Sequence, residues 1–124
     1  MSDVSPATPT YLVDTTSDPV LIKVQGRATY LNCAPFGELL DELIAGPAPA
    51  IKIDFEFCTG LDSTVLGLIA GAAMRFQKRT PPGQIIARKL SPRNLEIIRN
   101  LGIERFLTIA EPTGQTAPPF LIKE

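Results

Sequence analysis

At 124 residues, 44% hydrophobic and 20% charged, the chain has the size and balance of one globular domain, able to bury roughly two-thirds of its unfolded surface. Its 12 basic and 13 acidic residues leave a formal charge of −1 with no basic block, which excludes the electrostatic footprint of a nucleic-acid or anionic-membrane binder. The absence of histidine excludes Ser-His-Asp and Cys-His catalysis and imidazole metal sites, and Cys33 and Cys58, outside any C-x-x-C pair, read as small buried thiols.

In chain order, residues 1–10, with Pro6 and Pro9, read as a flexible lead-in that lacks the basic and apolar regions of a signal peptide. No apolar run approaches the roughly 20 residues of a membrane span, so a cytoplasmic protein without direct membrane insertion is expected. "TYLVDTT" and "VLIKVQG" are β-type runs around the turn "SDP", an opening hairpin whose second strand should end at Gly26. In "LNCAPFGELLDELIAGP", Phe36, Leu39, Leu40, Leu43 and Ile44 share one helical face, with Pro35 in the first turn and Gly46-Pro47 as the stop. "IKIDFEF" alternates strictly, which sets Ile51, Ile53, Phe55 and Phe57 on one face of a strand and Lys52, Asp54 and Glu56 on the other.

From 64 to 78 no proline interrupts the chain, and Val65, Leu66, Ile69, Ala72, Ala73 and Phe76 recur at helical spacing. "QIIARKL" is a further strand. "SPRNLEIIRNLG" is a short helix with Ser91 as N-cap, Pro92 at its first position and Gly102 as terminator. "RFLTI" is expected as the last strand, and residues 111–124 as a proline-rich tail. The order β-β-α-β-α-β-α-β predicts a single α/β domain over 11–110, a mixed sheet with helices mainly on one face.

The chemistry centres on "CTGLDSTV", where a strand turns into a helix. Ser63 falls at the expected N-cap, where its oxygen accepts from a free backbone N–H and where the helix dipole favours anions. A cap alone is one reading of it. A Walker-type phosphate loop is excluded, because the lysine that reaches the terminal phosphates is missing. Gly60, Asp62 and Ser63 resemble part of the S-G-G-x-D-S loop of ATP pyrophosphatases, although Cys58 and Thr59 replace its opening, and that likeness implies a nucleotide-binding protein as a remote alternative.

A broader resemblance covers about residues 20 to 110. Ile53-Asp54 followed by Asp62-Ser63-Thr64-Val65-Leu66-Gly67 resembles the acidic strand and D-S-[ST]-G-L-G signature of the STAS domain family, typified by anti-sigma factor antagonists. "ARKLSPRNLEIIRNLGIERFLTI" is similar to the family's strand, Ser-Pro turn, short helix and final strand, and Gly26 precedes the first helix as it does there. Two departures stand out. Val65 occupies the family's glycine position and would place bulk beside the serine, and Gly26-Arg27-Ala28-Thr29 stands where the family often reads G-E-[IL]-D.

The resemblance implies a partner-switching regulator with no catalytic residues, metal or cofactor. In it, Ser63 would be the phospho-acceptor, with Thr64 as fallback, and Asp62, Ser63, Thr64, Val65, Arg27 and Thr29 would meet the partner. That partner would be a histidine-kinase-like anti-sigma factor with serine kinase activity, and a serine phosphatase would reverse the modification. A non-phosphorylated STAS scaffold, or the accessory subunit of a membrane lipid transporter, is the alternative within the family.

Overall fold

A computed structural model describes residues 10–110; the lead-in up to residue 9 and the tail from 111 lie outside the described residues. The strands are β1 (Tyr11–Asp14), β2 (Val20–Ala28), β3 (Ala50–Leu61), β4 (Gln84–Arg88) and β5 (Thr108–Ile109). The helices are α1 (Ala34–Ala45), α2 (Ser63–Lys78) and α3 (Pro92–Asn100), and a 3₁₀ turn spans Ile103–Phe106. One sheet runs β1-β2-β3-β4-β5, with β1 antiparallel to β2 and the remaining pairs parallel. Each parallel strand is added on the same side of the last, and right-handed crossovers repeated in one direction carry every helix over the same face. The order and the α/β class are those expected from the sequence.

The core follows from that geometry. Ile22 and Val24 of β2, Ile51, Ile53 and Phe55 of β3, and Ile85 and Ala87 of β4 are buried beneath Phe36 and Leu40 of α1, the Val65–Phe76 face of α2, and Ile98 of α3. All six α2 positions singled out by helical spacing are buried. Tyr11 stacks flat on Phe36, with ring centroids 4.6 Å apart, and so ties β1 to α1. At the far end of α1, Arg79 donates at 2.8–3.2 Å to the carbonyl of Ile44, one that the helix end leaves open, and to those of Gly46 and Ala48 just beyond it.

Four expectations about element ends and alternation are corrected. Gly26 does not end β2. The strand continues to Ala28, with Gly26 in the left-handed region (φ +71°) that a glycine adopts without the penalty of a Cβ. Strict alternation in β3 fails after Phe55. Lys23 pairs with Asp54 but Gln25 pairs with Phe57, so β3 carries an extra residue there, and a second one lies between Cys58 and Gly60. The first bulge turns Phe57 outward, to 59% exposure, and Cys58 inward.

Asp54 Oδ1 accepts from Glu56 N at 2.8 Å and supports the bulge from the outer face. There Asp54 is itself buried, with Arg88 Nε 3.7 Å away. Third, Arg105 and Phe106 of "RFLTI" belong to the 3₁₀ turn, and only Thr108 and Ile109 pair with β4. The fourth correction, at the start of α2, bears on function.

Candidate functional site

β3 runs to Leu61 and α2 begins at Ser63, so a single residue, Asp62, joins strand to helix. No loop of successive amides remains there to cradle a phosphate chain. Asp62, not Ser63, is the N-cap. Its backbone is extended (φ −117°, ψ 174°), Oδ1 accepts from Val65 N at 3.0 Å, and its carbonyl accepts from Leu66 N at 3.1 Å. The tight joint shifts the cap one residue towards the strand, because β3 keeps pairing with β2 through Leu61. Ser63 and Thr64 therefore open the helix with exposed side chains. Their own amides have no acceptor among the described residues.

Val65 faces the core, at 1% exposure. The expectation that its bulk stands beside the acceptor serine and meets a partner is corrected: the residue after Thr64 points inward at the helical period. Gly67, two residues on, is exposed.

The other carboxylate oxygen of Asp62 reaches across to the loop between β2 and α1. Oδ2 accepts from Tyr30 N at 2.8 Å. Asn32 holds the same loop from within, accepting from Thr29 N at 2.9 Å and donating to Arg27 O at 2.8 Å. The result is an ordered edge on which Tyr30 and Leu31 stand 67% and 79% exposed beside the first turn of α2. Sequence reasoning passed over both. The available signal was an aromatic-aliphatic pair inside an otherwise polar loop.

Arg27 and Thr29 lie close to the joint. Arg27 is paired with Gly60 in the ladder, and both residues share a cavity with Asp62 and the first turn of α3. Arg93 and Asn94, also unforeseen from sequence, complete its wall. Ser91 caps α3 as expected, accepting from Asn94 N at 3.1 Å.

Behind the joint lies a group the edge does not use. The Tyr11 hydroxyl is buried with no hydrogen-bond partner among the described residues. Burial, with smaller contributions from nearby Cys33, Cys58 and Asp62, pushes its pKa up to about 12. Burial also pushes the Cys58 thiol up. Both cysteines are free thiols, Cys58 buried and Cys33 half-buried. Among the described residues no group of His, Cys, Asp or Glu could hold a metal ion, and no helix is long and apolar enough to cross a membrane.

Comparison with known proteins adds a family and a fold. A family model described as Mlab, STAS domain, matches residues 11–109. No curated protein matches the chain. The fold is similar to that of the Bacillus cell fate determinant SpoIIAA. For its phosphorylated form the TM-score is 0.65 at 18% identity, covering 82% of this chain and 91% of that one. For the anti-sigma factor antagonist SpoIIAA in its unphosphorylated form the TM-score is 0.66, also at 18% identity, covering 83% and 89%.

An anti-sigma factor antagonist from Mycobacterium paratuberculosis gives 0.67 at 22% identity, with 81% and 83% covered. A STAS domain protein from Planctomyces limnophilus gives 0.70 at 15% identity, with 85% and 91% covered.

Proposed function

We propose that this chain, which belongs to the STAS domain family, is a partner-switching regulator of the anti-sigma factor antagonist kind, with Ser63 as its phosphorylated residue and Thr64 as the fallback. The observation that carries the reading is the division of labour at the joint. Asp62 supplies the cap, so the exposed Ser63 hydroxyl has no structural duty and is free to be modified. A phosphoryl group there carries about −1.5 to −2 charges at a helix N-terminus, where the dipole favours it and the amides of Ser63 and Thr64 stand ready to donate. The domain therefore tolerates the modification.

A partner would not. The same charge arrives beside the Asp62 carboxylate and the exposed apolar Tyr30 and Leu31, so it repels an acidic surface and adds a desolvation cost to an apolar one. The docking edge in this reading comprises Ser63, Thr64, Tyr30 and Leu31, with Asp62 holding it together and Arg27 and Thr29 at its margin. The partner is a histidine-kinase-like anti-sigma factor that phosphorylates Ser63, and a serine phosphatase restores the binding form. The reading assigns the chain no catalysis. SpoIIAA, similar to this chain in both its phosphorylated and unphosphorylated forms, supports a switch that leaves the fold in place.

The matching family model carries the Mlab description and not that of an antagonist. That favours, as the second reading, a STAS module that docks by the same edge without phosphorylation. Incubation with each histidine-kinase-like serine kinase of the source genome and ATP, read by intact mass, separates the two. The switch reading expects one added phosphate, lost in Ser63→Ala, and a Ser63→Asp variant that stays folded but no longer binds the kinase. Labelling that persists in Ser63→Ala and maps to Thr64 moves the site by one residue. No labelling by any of the kinases leaves the docking module.

A further inference from the structure

The carboxyl ends of β2 and β3 and the first turn of α3 enclose a cavity of about 240 Å³, walled by Arg27, Thr29, Asp62, Ser91, Arg93 and Asn94. We propose that this cavity is a binding site for a small phosphomonoester-class anion, with Arg27 and Arg93 as its charge partners and Asn94 as a buried positioning donor. Strand carboxyl ends and the N-terminus of α3 meet there, and free amides at a helix N-terminus favour anions.

The polar groups of the wall are mostly unspent donors. Neither Arg27 nor Arg93 has a carboxylate partner among the described residues, whereas Arg75, Arg88 and Arg99 each have one. Asn94 is only 4% exposed, and its side-chain amide makes no hydrogen bond to the described residues. The amide is not sealed from solvent, so it is open to water in the cavity, and a ligand there would take the place of that water. Thr29 Oγ1 accepts from Leu31 N at 3.3 Å and Ser91 Oγ from Asn94 N at 3.1 Å, so each hydroxyl keeps its proton to donate.

The one acid in the wall, Asp62, already has both oxygens engaged by backbone amides. Two guanidinium groups and three neutral donors, against one occupied carboxylate, select an anion. The guanidinium fork suits a phosphoryl group. The volume lies below the roughly 300–1,000 Å³ of drug-sized pockets, which favours a three-carbon phosphomonoester over a nucleoside triphosphate. Ser63 is not part of the wall, so the site does not rest on the phospho-switch reading.

The test is an NMR titration of the ¹⁵N-labelled full chain with glycerol 3-phosphate, inorganic phosphate and uncharged glycerol, followed at the Asn94 side-chain amide and the arginine Nε signals. Glycerol 3-phosphate is expected to saturate the Asn94, Arg27 and Arg93 signals with a Kd of about 1 mM or below. Binding should weaken about tenfold in Arg27→Gln and in Arg93→Gln, each a loss of one charge-assisted contact, and hold in Arg99→Gln. Glycerol should move none of these signals.

Equal saturation by inorganic phosphate identifies the phosphoryl group alone as what is recognised, and tighter binding of the ester adds recognition of its carbon chain. The proposal is overturned by shifts that grow without saturating and reach Arg99 equally, by glycerol moving the same signals, or by unchanged affinity in both arginine variants. Arg27 and Arg93 are exposed, and the dispersion of the variants' spectra verifies their fold.

Discussion

Substituting Asp62 by alanine removes two backbone-amide acceptors in one step. Oδ1 holds Val65 N at 3.0 Å and Oδ2 holds Tyr30 N at 2.8 Å. Loss of an N-cap acceptor costs about 1 kcal/mol. A hydrogen bond to a charged group contributes about 1.5–3 kcal/mol when shielded, but Asp62 is only half-buried and water replaces part of it at Tyr30, so about 1 kcal/mol remains. The sum is about 2 kcal/mol. For a domain of roughly 100 residues this lowers Tm by about 8–16 °C.

Urea unfolding of wild type, Asp62→Ala, Asp62→Asn and Ser63→Ala, compared at a common m value, measures each step. Asparagine keeps the acceptor for Val65 N but turns an amide towards Tyr30 N, so it should lose about 1 kcal/mol. Ser63→Ala should stay within about 0.5 kcal/mol, because its oxygen caps nothing. A midpoint for Ser63→Ala as low as that for Asp62→Ala would refute the assignment of the cap. So would an Asp62→Ala variant as stable as wild type.

Gly83→Ala should cost about 1–3 kcal/mol in the same assay, because a Cβ built there collides with the buried Phe76 ring; an unchanged midpoint would mean the ring has room to move. Tyr11→Phe removes a buried hydroxyl without a partner while keeping the stack on Phe36, so stability should hold or rise by about 1 kcal/mol, and a clear loss would reveal a partner for the oxygen. Because the folded pKa of Tyr11 is about 12 and the ordinary value is 10.0, the unfolded chain gives up this proton first. The contribution of Tyr11 to stability should be fully present below pH 10 and fall as pH climbs towards 12, a slope that Tyr11→Phe should lack.

Local chemistry was legible in the sequence. Ser91, Pro92 and Gly102 punctuate α3 as read, because caps, a first-turn proline and a left-handed terminator act within a few bonds of the residues that carry them. The buried face of α2 was legible for a similar reason: a helix presents every third or fourth residue to the sheet wherever it packs. The chain order of the elements and the parallel pairing could be read because strands that alternate with helices are joined by crossovers.

Pairing between strands decided the rest. The two extra residues of β3 exist only relative to β2, so nothing in "IKIDFEFCTGL" alone could show that Phe57 turns outward and Cys58 inward. The same pairing carries β3 on to Leu61 and moves the cap from Ser63 to Asp62, which frees the serine hydroxyl. The cavity belongs to this second class. Arg27 and Arg93 are far apart in the chain, and they meet because β2 and α3 both present their ends on the same rim of the sheet. A one-dimensional pattern records which face a residue prefers; which residues face one another across a gap depends on register, and register is a property of the assembled sheet.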